Sequence, residues 1–196
     1  MSALQSLNDE LAAVVAQAQR SLVQVRDGRR GAGAGTIWHA NGLILTNAHV
    51  VSRSRLDVVL PDGRTLPARL LAADRARDLA ALSIAATDLR PMPLGDSRQL
   101  RAGQWVFALG HPWGVTNAVT AGIVIGEASE RPAGTDADDW LAVSLHLRPG
   151  YSGGALVDES GRLVGINTLM TGPDVGVAIP VHVAKRFLQE ALAQQN

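Results

Sequence analysis

Between residues 3 and 20 the apolar positions Leu4, Leu7, Leu11, Val14, Val15 and Ala18 recur at three- and four-residue intervals. That is the spacing of an α-helix with one buried stripe. From Ser21 the texture changes. Short runs rich in Val, Ile, Leu and Thr occupy 21–25, 36–38, 43–46, 56–60, 79–84, 105–109, 119–125, 140–145, 162–169 and 175–179, each with the length and composition of a strand. Turn residues separate them: Asn41-Gly42, Pro61-Asp62-Gly63, Glu159-Ser160-Gly161 and Gly172-Pro173-Asp174. Many short strands with little helical pattern between them predict antiparallel barrels or a sandwich, not a parallel α/β sheet. Helical character returns from Val181 to Gln194, after Pro180, a residue suited to a helix start. The stretch 85–103, with Pro91, Pro93, Gly95 and Gly103, is the expected connection between two halves of the β body.

Composition narrows the class. The 196 residues fit one domain, or two small subdomains packed closely, with room for a core. The 18 basic residues balance 18 acidic ones, so no global field draws the protein to nucleic acid or an anionic membrane. With no cysteine, a disulfide scaffold, a Cys nucleophile and a Cys-ligated zinc are excluded. The N-terminus carries Asp9 and Glu10 ahead of its apolar residues and lacks the basic segment and unbroken apolar core of a secretory signal. As given, the chain reads as cytoplasmic; an exported protein trimmed of its leader reads the same. No stretch approaches the roughly 18 to 20 uninterrupted apolar residues of a membrane span.

Three segments carry chemistry. Thr46-Asn47-Ala48-His49-Val50-Val51 follows the apolar strand Leu43-Ile44-Leu45 and sets a histidine at a strand end; taken alone, such a histidine is more often structural. Asp74-Arg75-Ala76-Arg77-Asp78 precedes the run Leu79-Ala80-Ala81-Leu82, where an aspartate is commonly a turn residue accepting backbone N–H groups. Pro149-Gly150-Tyr151-Ser152-Gly153-Gly154 runs into Ala155-Leu156-Val157. Glycines there allow a substrate carbonyl to approach peptide N–H groups, as stabilisation of an oxyanion requires; a glycine-rich hairpin with an incidental serine is the alternative. Together the three supply what a serine nucleophile needs: a base within reach and a carboxylate that holds the base in one tautomer.

In the order His49, Asp78, Ser152 the sequence resembles the chymotrypsin-fold serine proteases, and the HtrA (DegP/DegQ/DegS-like) family in particular. The resemblance runs from about Gly33 to Lys185. It rests on Gly33-Ala34-Gly35-Thr36-Ile37, Asn41 to Val51, Asp78-Leu79-Ala80, Gly150 to Gly154, Gly165-Ile166-Asn167-Thr168 and Gly176-Val177-Ala178-Ile179-Pro180. It implies an all-β fold of two six-stranded antiparallel barrels with an N-terminal and a C-terminal helix. The bounds are 1–20 for the first helix, 21–88 for the first barrel, 89–100 for the connection, 101–180 for the second barrel and 181–196 for the last helix. It implies a serine endopeptidase of protein quality control that cuts unfolded or damaged proteins through an acyl-enzyme. His49, Asp78 and Ser152 would be catalytic, and backbone N–H groups of Gly150, Tyr151 and Ser152 would hold the oxyanion. Polypeptides are the expected partners, and no metal or organic cofactor is needed; His39, His111, His146 and His182 show no ligand spacing.

Several positions depart from the family pattern. Tyr151 stands where the family usually has Asn, a larger residue inside the oxyanion loop, and Val143 to Arg148 replaces a family-like Thr-Asp-Ala-Ala-Ile-Asn stretch. By resemblance the substrate pocket would involve Leu147, Leu169 and Met170, suiting a small or medium aliphatic residue. His146, six residues before the serine, raises the minority reading of an acidic or polar preference. The PDZ domains that commonly follow in the family have no counterpart in these residues. The first aromatic residue is Trp38, so the N-terminal aromatics that hold family trimers are missing; a homo-oligomer such as a trimer is possible but unsupported, and a monomer is equally open. The segments Glu127 to Asp139 and His111-Pro112-Trp113-Gly114 are the candidate mobile loops. Two alternatives stay open: a catalytically silent protein-binding or chaperone-like module on the same fold, and a processing protease with few targets.

Overall fold

Residues 2–28, 32–51, 55–127 and 140–193 are described in a computed structural model; the expected loop at 128–139 lies outside them. Among the described residues the ten apolar runs become ten of twelve strands. β1 (Leu22–Asp27), β2 (Ala32–His39), β3 (Leu43–Thr46), β4 (Leu56–Val59), β5 (Thr65–Asp74) and β6 (Leu79–Ile84) close an antiparallel barrel in the order β1-β2-β3-β6-β5-β4. β7 (Trp105–Gly110), β8 (Ala118–Glu127), β9 (Leu141–Ser144), β10 (Ala155–Asp158), β11 (Leu163–Gly172) and β12 (Val175–Pro180) close a second, in the order β10-β11-β12-β9-β8-β7. The expected all-β pair of six-stranded barrels is the fold that forms. α1 (Ala3–Gln19) precedes it and α2 (Val181–Ala193) follows.

The runs are apolar on consecutive positions because many strands are buried on both faces. In β6, Ala80, Leu82 and Ile84 point into the first barrel with Val23, Val25 and Ile44, while Leu79 and Ala81 face the seam between the barrels. In β7, Val106 and Ala108 fill the second barrel, and Phe107 and Leu109 turn to the same seam. α2 closes it. The helix packs on β11 and β12 of one barrel and on β5 and β6 of the other, with Phe187 and Leu188 in the seam cluster. Arg77 on the β5–β6 turn reaches Glu190 of α2 at 2.5 Å. Each partner favours the charged form of the other, raising the guanidinium pKa and lowering the carboxyl pKa.

Two expectations need correction. Strand β5 was not foreseen: Pro67 and Arg69 interrupt it, and none of its positions is fully buried, so no apolar alternation marks it. Strand β10, only four residues long, forms directly after the glycines, where the sequence runs into a strand. The stripe of α1 is buried only at its C-terminal end. Ala18 is buried and Leu11 and Val15 lean on the seam, but Leu4 is 79% exposed and Leu7 52% exposed.

Because Phe187 is 4% exposed and spans the seam, Phe187→Ala is expected to cost about 3–5 kcal/mol of unfolding free energy. Urea denaturation followed by far-UV circular dichroism measures it, and a loss below about 1 kcal/mol would refute the role of α2 as a clasp.

Candidate active site

The three chemistry-bearing segments meet where the barrels touch. His49 lies just past β3, Asp78 just before β6, and Ser152 on the loop leading into β10. Asp78 is set by its backbone: φ is +54°, a left-handed conformation that aspartate tolerates better than most residues. The buried Asn47 pins that turn by donating Nδ2–H to the Asp78 carbonyl at 2.9 Å. The carboxylate then meets three donors. His49 N–H reaches Oδ1 at 3.0 Å, the His49 ring Nδ1 reaches Oδ2 at 2.8 Å, and the Thr168 hydroxyl donates to Oδ2 at 2.6 Å. With Nδ1 carrying the proton toward the carboxylate, Nε2 keeps its lone pair. The Asp78 side chain is 12% exposed and that of His49 49%, so the base faces solvent and its orienting group does not.

Ser152 is positioned by contact between the barrels. Its carbonyl accepts Ala34 N–H of β2 at 2.8 Å. Gly153, at φ +81°, lies so close to Thr46 Oγ1 and the Ala34 carbonyl that a Cβ would overlap both. The buried Asn167 of β11 holds the same loop from the other side: its backbone exchanges hydrogen bonds with Gly153 and Gly154, and its Nδ2 donates to the Ala155 carbonyl at 2.9 Å. The Ser152 hydroxyl donates to the Thr168 carbonyl at 2.9 Å and makes no hydrogen bond to His49. Thr168 thus touches two of the three residues, one through its hydroxyl and one through its carbonyl.

The amides of Gly150 and Ser152 make no hydrogen bond to any described residue, whereas Tyr151 N–H, grouped with them on sequence grounds, donates to the Arg148 carbonyl at 3.0 Å. Gly150 has φ +108°, and a Cβ there would lie 2.5 Å from the His111 carbonyl oxygen. The Tyr151 ring does not fill the cleft: it is 5% exposed and packs in the second barrel's core with Val106 and Leu156. Burial pushes its phenol pKa up, opposed by the Arg148 guanidinium.

Of the residues expected to line the substrate pocket, Leu147 and Met170 come together, Leu147 N–H meeting Met170 Sδ at 3.2 Å. Leu169 packs on the seam cluster instead, Met170 on the second barrel's core. His146 is exposed, its Nδ1 2.8 Å from the Asp174 carboxylate, which already meets any charge it would offer to an acidic side chain. Among the described residues no group of three His, Cys, Asp or Glu side chains has metal-binding geometry. Asn47, Asn167 and Thr168 stand in the quoted motifs, but sequence reasoning assigned them no role; Asn47, inside the His49 motif, offered that nearness as a signal, whereas Asn167 and Thr168 gain their roles only through the fold.

This constellation is that of a double-barrel serine peptidase, and comparison agrees. Residues 33–166 match the trypsin-like peptidase domain family. The chain is similar to the mitochondrial serine protease HTRA2 of Drosophila grimshawi, 40% identical over 170 residues that cover 84% of this chain and 40% of that protein. The HTRA2 of Drosophila ananassae is 41% identical over the same shares. Among solved structures it resembles the HtrA-type protease AlgW with a tripeptide, at TM-score 0.89 and 33% identity over 95% of this chain and 64% of that one. AlgW with a decapeptide gives TM-score 0.86 at 29% identity over 93% and 67%. The chain belongs to the trypsin-like peptidase family, as a protease domain of the HtrA type. It spans 40% of the length of the curated relatives named.

His111 supports Gly150 from behind, donating its backbone N–H to the Gly150 carbonyl at 2.9 Å, while its Nδ1 accepts Asn117 N–H at 3.2 Å. Burial holds its imidazole below the usual histidine range; the Val23 backbone opposes this, although Nε2 makes no hydrogen bond of ordinary geometry. The unfolded chain therefore takes up a proton near the ordinary pKa, about 6.5, before the folded protein does. Stability is unaffected above that pH and falls as pH drops below it. Urea midpoints at pH 8, 6.5 and 5.5 should fall more steeply for the wild type than for His111→Gln; parallel slopes would refute the assignment.

Proposed function

We propose that this domain is a serine endopeptidase that hydrolyses peptide bonds of unfolded or damaged proteins through an acyl-enzyme on Ser152. The observation that carries the reading is the Asp78 carboxylate holding His49 Nδ1 beside a loop with two unspent amides. Ser152 first exchanges the Thr168 carbonyl for His49 Nε2. Its Oγ then bonds to the scissile carbonyl carbon as the imidazole takes the hydroxyl proton, and Asp78 stabilises the resulting imidazolium. The amides of Gly150 and Ser152 receive the negative oxygen; losing one such donor typically costs roughly 2.7–4 kcal/mol of transition-state stabilisation. His49 returns the proton to the leaving amine, the C–N bond breaks, and water repeats the sequence to release the acid.

The quality-control role is supported by similarity to HTRA2 and AlgW. Digestion of casein by the protein beside Ser152→Ala, with a sulfonyl fluoride label as second readout, tests the reading. Cleavage and labelling lost together in the variant are expected. A folded wild type that neither cuts nor labels from pH 6 to 9 would refute it and favour a binding module on this fold.

Thr168 acts as a positioning residue. Thr168→Val removes a hydrogen bond to a charged group and is expected to lower kcat about tenfold with little change in KM. Thr168→Ser should restore kcat, and a variant indistinguishable from wild type, or one whose loss falls on KM, would remove the role.

A further inference from the structure

The turn that backs Gly150 presents an aromatic and a cation that neither the fold nor the acyl-transfer reading uses. Trp113 is 70% exposed, so it contributes little to any core. It is nevertheless held at φ +50°, ψ +33°, a left-handed conformation that is an outlier for a bulky residue and is characteristic of functional sites. The turn is anchored to the oxyanion loop: His111 N–H donates to the Gly150 carbonyl at 2.9 Å, Val115 N–H closes onto the Pro112 carbonyl at 2.8 Å, and a Cβ on Gly150 would lie 2.6 Å from Pro112 Cα. The backbone that carries Trp113 is therefore fixed directly behind the candidate oxyanion loop.

Over that ring lies Arg148, its guanidinium carbon 5.0 Å from the ring centroid. The backbone of Arg148 starts the tight turn into the oxyanion loop by accepting Tyr151 N–H. Its guanidinium makes no ion pair and no hydrogen bond to any described residue, in contrast to Arg64, Arg77 and Arg162, which pair with carboxylates. Stacking holds the side chain in place while leaving its N–H fork unspent. That planar fork matches the two oxygens of a carboxylate. The indole offers apolar surface to the methylenes that carry it.

We propose that Arg148, held on the ring of Trp113, forms a substrate subsite that takes the carboxylate of a glutamate or aspartate within two residues of the scissile bond. The proposal rests on the peptidase reading and narrows its substrate class to segments with an acidic residue beside the cut. Since the chain has formal net charge zero, the preference is local to this pair and not a consequence of overall attraction. It also reassigns the acidic preference that the sequence suggested through His146 to a cation that has no acidic partner among the described residues.

The test uses end-blocked peptides with one known cleavage bond, in which a glutamate is moved through the two positions on either side and compared with glutamine and lysine. At low ionic strength one position should show a kcat/KM for glutamate about three- to fivefold above glutamine, the size expected of an exposed charge pair, and 0.5 M salt should erode it. Arg148→Gln should bring that ratio to about one, Arg148→Glu should invert it in favour of lysine, and Trp113→Ala should reduce it while the charge remains. Equal cleavage of glutamyl and glutaminyl peptides at all four positions would overturn the proposal. Fluorescence anisotropy of the same labelled peptides on Ser152→Ala separates the subsite from the peptidase reading. Tighter binding of the glutamyl peptide, lost in Ser152→Ala with Arg148→Gln, supports the subsite even where the wild type cuts nothing; equal affinities would remove it whatever the activity.

Discussion

The site depends on one contact, the docking of the Ser152–Gly153 loop of the second barrel onto β2 and β3 of the first. Ser152 and His49 stand on different barrels, so their relation is set by how closely two separately closed sheets approach. Gly153 sets that distance. It has no Cβ to hold the loop away from Thr46 and Ala34, and the Ala34 amide ties the Ser152 carbonyl down. A methyl group there would force the loop off the first barrel and separate nucleophile from base.

Behind this contact a set of buried polar groups makes the arrangement unique. Asn47 pins the Asp78 turn and Asn167 pins the Ser152 loop, each fixing one half of the site within its own barrel. Thr168 crosses between the halves, its hydroxyl on Asp78 and its carbonyl on Ser152. Apolar burial alone would let the barrels slide, since it is nearly indifferent to direction. Hydrogen bonds to groups removed from water are directional, and leaving one unmade costs about 1–3 kcal/mol, so they select one register of the seam.

Much of the β architecture was legible because burial on one or both faces leaves a mark in composition. β3, β6, β7 and β12 are apolar over nearly their whole length and were visible as runs. β5 was not, because Pro67, Arg69 and its alanines serve a barrel wall with no fully buried position. The α1 stripe misled in the opposite sense: helical spacing from Leu4 to Ala18 is real, but a period says which residues share a face, not whether anything covers it. Leu4 and Leu7 share the face and stay in solvent.

His49, Asp78 and Ser152 were recognisable in sequence only together: each motif alone reads as a structural feature, but a base, a carboxylate and a glycine-flanked serine in that order supply a serine nucleophile's needs. Their companions were not. Tyr151 read as an obstruction within the loop, and only packing decided that its ring turns into the second barrel. Thr168 and Arg148 carried no local signal, since one gains its meaning from a carboxylate 90 residues away and the other from an indole on a different turn. The sequence by itself determined most of the elements, an antiparallel β body between two helices and the chemical inventory, because these follow from local periodicity and residue type. The tertiary structure decided which polar groups meet across the seam, because contacts between distant segments depend on how two barrels pack and leave no period in the chain.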